Sequence, residues 1–211
     1  MVSSVDKEII DYVEQNIIPK YSGFDKAHRE EHVRTVIDQS LKLAGQMPDC
    51  NPDMVYIIAA FHDLGLAFGR ERHHIDSRKI LESDNFLKSR FTSEQIHIMG
   101  EAVEDHRASS KNKPRSQYGL IVAEADRIID PETIMRRTIQ YSLSHYPELD
   151  RIGHFHRTVQ HLNEKYGPEG YLKIWIPGSD NAIRLKGLHK ILSNSTQTLD
   201  LFNRIYDEES L

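Results

Sequence analysis

An all-α fold is what this sequence predicts, and three observations predict it. Apolar residues recur at three- and four-residue intervals through most of the chain. Asn51-Pro52, Thr92-x-x-Gln95 and Asp130-Pro131 read as helix starts: a capping side chain followed by proline, or answered three residues later by glutamine. Pro19, Gly65 and Gly167-Pro168 close periodic segments. In order, Val5, Ile9, Ile10, Val13 and Ile17 define a helix over 5–17, and Val33, Val36, Ile37, Leu41, Ala44 and Met47 one over 26–47. Residues 51–65 are apolar enough for a buried helix. A polar loop through Gly69-Arg70-Glu71-Arg72-His73-His74 leads to a short helix over 76–84 and a longer one over 93–108. After a basic, proline-containing loop, helices are expected over 117–129, from 131 to about 144, and roughly over 150–166. Residues 170–186 hold two β-compatible runs around Pro177-Gly178-Ser179-Asp180, which fit a small β-hairpin or an irregular loop equally. Helix returns over 187–207. No repeat, low-complexity run or linker divides the chain, so a single domain over 1–211 is expected, with a core motif region at about 20–135 and a C-terminal helical extension.

Composition narrows the function. A chain of 211 residues with 38% hydrophobic side chains can bury one continuous core. The net charge of −5 argues against non-specific nucleic-acid binding but allows a small phosphorylated substrate, because a local positive site can sit on an acidic protein. One cysteine, Cys50, rules out an intrachain disulfide and fits a reducing compartment. The first ten residues lack a basic segment followed by an apolar one, and no apolar run approaches the roughly 20 residues that span a bilayer. A soluble cytoplasmic protein with no membrane partner is the expectation.

The chemistry concentrates at His62-Asp63 in the run AAFHDLG, at the end of the most apolar helix. Burying an imidazole and a carboxylate without partners costs free energy, and a metal ion would supply the partner. A buried histidine–carboxylate hydrogen bond is the plainer alternative. His32 in AHREEHV and Asp126 in AEADRI are candidate co-ligands, with His28 one helical turn before His32 as a substitute for it. Neutral imidazole with carboxylate oxygens suits a divalent metal with open positions, and Mn²⁺, Mg²⁺ and Fe²⁺ all fit. Twelve histidines in the chain make further ligands available.

The ordered pattern H…HD…D, carried by His32, His62-Asp63 and Asp126, resembles the HD-domain superfamily of metal-dependent phosphohydrolases. The resemblance implies a helical bundle with a metal held by these four residues, His62 and Asp63 being the catalytic doublet. It also implies a place for a second ion or for supporting contacts at His106 and at His73 or His74, between which the sequence does not choose. One or two ions are therefore expected. Arg29, Arg70, Arg72, Arg107 and Lys111 each lie next to a candidate ligand in sequence and are candidates to bind phosphate. No Gly-Tyr-Pro run follows the doublet, and Leu-Gly rather than an acidic pair does, which sets aside the cyclic-dinucleotide and alarmone branches. P-loop and Gly-x-Ser-x-Gly motifs are absent. The expected activity is hydrolysis of a phosphoester or phosphoanhydride in a small molecule, with a nucleotide favoured. The alternatives are a di-iron oxygenase on the same scaffold and a non-catalytic metal- or nucleotide-binding protein.

Overall fold

The computed structural model describes residues 4–25, 28–47, 49–108, 112–127 and 129–210. The chain divides into two compact units, 1–127 and 128–211. Among the described residues there are eleven α-helices and no strand, so the fold is all-α.

In the first unit, α1 (Lys7–Asn16) starts where the Asp6 carboxylate accepts from the Glu8 amide, and a 3₁₀ segment carrying Pro19 follows it. Helix α2 (Glu30–Ala44) buries Val33, Val36, Ile37, Ser40, Leu43 and Ala44, one face at helical spacing. Helix α3 (Pro52–Phe61) is capped by Asn51, whose side chain accepts from the Asp53 amide at 2.9 Å, and every residue from Met54 to Phe61 is buried. A helix buried on all sides is a central one, and α3 packs against α1, α2 and the later helices Ser93–Asp105 and Gln117–Ala125. Fully burying Ile57 or Phe61 contributes about 1.5–3 kcal/mol each. The helix ends at His62. Leu64–Phe68 form a 3₁₀ turn, and Gly69 takes the left-handed conformation (φ 111°) that a side chain would strain.

Helix α4 (His73–Ser83) begins three residues before the expected start. A short helix that periodicity did not separate, α5 (Asn85–Arg90), is capped by Asp84. Helix α6 (Ser93–Asp105) opens with the predicted reciprocal pair: Thr92 Oγ1 accepts from the Gln95 amide, and Gln95 Oε1 accepts from the Thr92 amide. Helix α7 (Gln117–Ala125) completes the unit. No helix of the chain among the described residues is long and apolar enough to cross a membrane.

The second unit holds α8 (Pro131–His145), α9 (Arg151–Tyr166), α10 (Asp180–Leu192) and α11 (Ser195–Glu209). The β-hairpin does not form, and the irregular alternative is what occurs. The Tyr171 and Leu172 amides are taken by the Glu164 and Lys165 carbonyls at the end of α9, so the first run has no ladder donors to offer there. The second run enters α10, where Ser179 caps the Ala182 amide at 3.0 Å. The expected helix over 187–207 is instead two. Asn194 caps α11 through the Gln197 amide and divides them.

Candidate metal centre

Six of the candidate ligands sit at helix ends. His62, His106 and Asp126 are the C-cap residues of α3, α6 and α7, and Asp63 follows His62. His73 is the first residue of α4, and His32 lies in the first turn of α2 rather than mid-helix. Three helix C-termini meeting at one place bring their partial negative charge together, a field that favours a cation.

The side chains form two groups that share Asp63. His32, His62 and Asp63 place one nitrogen or oxygen each within 4.8 Å of one another, and so do Asp63, His73 and His106. Asp63 Oδ2 lies 3.3 Å from His62 Nε2 and 3.7 Å from His32 Nε2. Its other oxygen, Oδ1, lies 3.4 Å from His106 Nε2 and 3.6 Å from His73 Nε2. Asp126 Oδ1 closes the first group, 3.2 Å from His32 Nε2 and 3.8 Å from His62 Nε2. His62, Asp63 and His106 are buried.

Backbone carbonyls set the imidazoles. The Nδ1 of His62 lies 2.7 Å from the Ala59 oxygen, that of His73 2.8 Å from the Arg70 oxygen, and that of His106 2.5 Å from the Val103 oxygen. Each carbonyl accepts the Nδ1 proton, so it is Nε2 that faces the group and that offers the lone pair whenever the ring is neutral. The result is two close nitrogen pairs: His73 Nε2 and His106 Nε2 are 3.1 Å apart, and His32 Nε2 and His62 Nε2 are 3.3 Å apart. In the His73–His106 pair both Nδ1 protons are committed, so two lone pairs face each other across 3.1 Å. A cation between them removes that repulsion, and the donor set of nitrogens and carboxylate oxygens fits a divalent metal ion.

Charges in the group respond to one another. Burial would push the His62 imidazole down, but the Asp63 carboxylate with Asp126 holds it up, at about 9. Burial would likewise raise both carboxyls; His62 and His106 hold Asp63 well below the usual carboxylate range, and His32 and His62 hold Asp126 at about 2. Burial and the neighbouring His106 push His73 down.

Of the adjacent pair, it is His73 that meets His106. His74 turns toward Arg107, with its Nδ1 3.3 Å from the guanidinium, and burial plus that charge push it down to about 4. His28 does not join the group: it pairs with Asp25 at 2.8 Å and with Arg70 at 3.2 Å. Among the candidate phosphate contacts, Arg70 lies beside His28, Arg107 donates to the Glu71 carbonyl at 2.6 Å, and Arg29 donates to the Phe24 carbonyl at 3.4 Å. Arg72 is exposed at the N-cap of α4. Lys111 lies outside the described residues.

Two supporting residues, Tyr21 and Ser77, escaped the sequence reading, and Gly65 was read there only as a helix end. The buried Tyr21 hydroxyl donates to the Ala60 carbonyl at 2.9 Å and accepts from the Asp63 amide at 3.4 Å, tying the end of α3 down. Ser77 Oγ accepts from the Gly65 amide at 2.8 Å. Gly65 itself is crossed by α4 so closely that a Cβ there would stand 2.0 Å from the His73 carbonyl oxygen and 2.6 Å from the Ser77 amide. Only glycine permits this approach, and the approach delivers His73 to Asp63. The glycine after the doublet was the one readable signal of it.

Residues 29–129 match the family model of the HD domain. That segment is an HD domain, which supports membership of the HD-domain superfamily. Both groups of side chains lie inside the matched segment, and HD-domain proteins are generally metal-dependent hydrolases that bind divalent ions. No curated protein and no solved structure gave a match.

Proposed function

We propose that this HD-domain chain hydrolyses a phosphoester or phosphoanhydride of a small molecule with two divalent ions. His32, His62, Asp63 and Asp126 would hold one ion, and Asp63, His73 and His106 the other. The supporting observation is the facing Nε2 lone pairs of His73 and His106 on one side of Asp63 and the close His32–His62 nitrogen pair on the other, which together present that carboxylate as the shared ligand. When bound, such ions lower the pKa of water and polarise a phosphoryl oxygen. The protein's part is to fix the nitrogens through the Ala59, Arg70 and Val103 carbonyls, to split the two oxygens of Asp63 between the groups, and to flank them with Arg70 and Arg107. Those guanidiniums would balance substrate charge.

The test is phosphate release from a panel of phosphomonoesters and phosphoanhydrides, nucleotides among them, after chelator stripping and reloading with Mn²⁺, Mg²⁺ or Fe²⁺. Release by the loaded protein and none by the stripped one is expected. Two bound ions without release from any substrate would instead favour the non-catalytic binding protein. Oxygen consumption by the iron form alone would favour the oxygenase.

A further inference from the structure

His106 depends on the last turn of its own helix. It is the C-cap of α6, and its Nδ1 is held by the Val103 carbonyl of that turn at 2.5 Å. Whatever fixes the turn therefore fixes the imidazole. Charge works against the turn. Glu101, Glu104 and Asp105 stand three and four residues apart on α6, where like charges repel. They also sit at the negative end of the helix dipole, where anions are disfavoured. A turn so charged tends to fray.

Arg115 answers all three carboxylates. It stands just before Ser116, the N-cap of α7, and reaches back to α6. Its backbone amide donates to Asp105 Oδ2 at 2.7 Å, and its Nε to Asp105 Oδ1 at 3.0 Å. Nη1 donates to Glu101 Oε1 at 3.2 Å, and Nη2 donates to Glu104 Oε2 and to the Glu101 carbonyl, both at 3.0 Å. Arg78 of α4 adds a second guanidinium on the same Glu104 oxygen, at 2.7 Å. Burial would raise the Glu104 carboxyl, but Arg78 and Arg115 hold it below the usual carboxylate range. One exposed ion pair contributes little, whereas several sharing a guanidinium act as a network. Gly119 leaves room for the clamp, since a Cβ there would stand 2.8 Å from Asp105 Oδ2. All of these side-chain contacts fall on residues 101–105 and none on a candidate ligand, so Arg115 acts through α6.

We infer that Arg115 is a positioning residue for the Asp63–His73–His106 group: it holds the last turn of α6 and so keeps His106 against His73 and Asp63. The other group does not depend on it. His32, His62 and Asp126 come from α2, α3 and α7, and α7 keeps its own cap, the Ser116 hydroxyl accepting from the Gly119 amide at 3.2 Å. The inference rests on the two-ion reading above and makes one ion, not both, sensitive to a residue that would touch neither.

The experiment titrates Mn²⁺ into the chelator-stripped full chain and follows binding by calorimetry. The wild type should take up two ions in two steps, and His106→Ala marks the step that belongs to the Asp63–His73–His106 group. In Arg115→Ala that step should weaken about tenfold, the lower end for outer partners of a metal ligand, while the other step stays put. Arg115→Lys keeps the charge but not the fork and should fall between. Arg136→Ala is the control: it removes a comparable network, on Glu208 and Glu209 of the second unit, and should move neither step. A staple that serves stability alone would shift the melting temperature and neither step. Both steps unchanged in Arg115→Ala, or both weakened alike, overturns the inference. A wild type with a single step sinks the two-ion reading, and the inference then turns on the His106 Nδ1 proton of the stripped protein. By nuclear magnetic resonance that proton should exchange with water faster in Arg115→Ala than in wild type, and equal exchange overturns the inference.

Discussion

The two halves of the metal centre are built differently. His32, His62 and Asp126 come from α2, α3 and α7, three helices that pack against one another. His73 and His106 come from α4 and α6, and His73 reaches the site because α4 crosses the backbone of Gly65. The first half is therefore set among three mutually packed helices, and the second between α4 and α6, which pack on each other, with the seat of α4 on the end of α3 set by its crossing of Gly65. Asp63 belongs to both, one oxygen to each. A core-built half should survive changes that empty the other, and the shared residue should empty both.

The largest expected effect follows from that sharing. Asp63→Ala should take bound metal from about two ions per chain to about none, since the site's affinity depends on its deprotonated ligands, and should abolish hydrolysis. Far-UV circular dichroism should stay helical, because α3 is held by Met54 to Phe61. Near-normal metal content by elemental analysis would take Asp63 out of the site.

A more selective break separates the halves. His106→Ala should lower metal content from about two ions to about one, because only the second group loses a ligand. His74→Ala should leave both ions in place, since its ring faces Arg107 and not the cluster. Equal loss in both variants would contradict the assignment of His73 over His74.

Gly65→Ala tests the contact that delivers α4. The added methyl meets backbone, which cannot rotate away, so α4 must shift. Stability should fall by about 1–3 kcal/mol, as for other overpacked sites, and metal content should drop toward that of His106→Ala. Unchanged melting temperature and two bound ions would mean the crossing has slack.

The same difference explains what could be read from the sequence. The first half was legible because its residues end or begin strongly periodic segments: AAFHDLG closes the most apolar helix, and AEADRI closes α7. The second half was only half legible. Both His73 and His74 stand at the start of α4, and which one points inward depends on how α4 is seated by Gly65 and Ser77, a contact between segments with no local signature. Tyr21 was invisible for the same reason, as its partners lie far along the chain at Ala60 and Asp63. In the second unit, the run around Tyr171 has β-compatible residues, but amide bonds back to α9 override that preference. The break at Asn194 was readable in principle, because asparagine followed by a helical start is a capping signal.

The smallest expected effect lies at the rim, where the halves differ again. Arg70 stands on the side of the first half, beside His28 and 3.9 Å from Asp25, and its side chain is 72% exposed. Arg107 stands on the side of the second half, held by the Glu71 carbonyl and facing His74. A guanidinium in water is screened, so its help to an anionic substrate is limited. The double variant Arg70→Ala, Arg72→Ala should raise KM for a phosphate ester by roughly fivefold, the scale of one exposed ion pair, with kcat little changed, because binding that is equal in ground and transition states is what is lost. The difference from wild type should shrink as salt is raised. Arg107→Ala should be less sensitive to salt and should lower kcat as well as raise KM, since Arg107 is anchored at two points and cannot be replaced by solvent without disturbing His74. Steady-state kinetics at low and high ionic strength separates these outcomes. Unchanged constants for the double variant would place Arg70 and Arg72 on the solvated surface and leave Arg107 as the cation that meets the substrate.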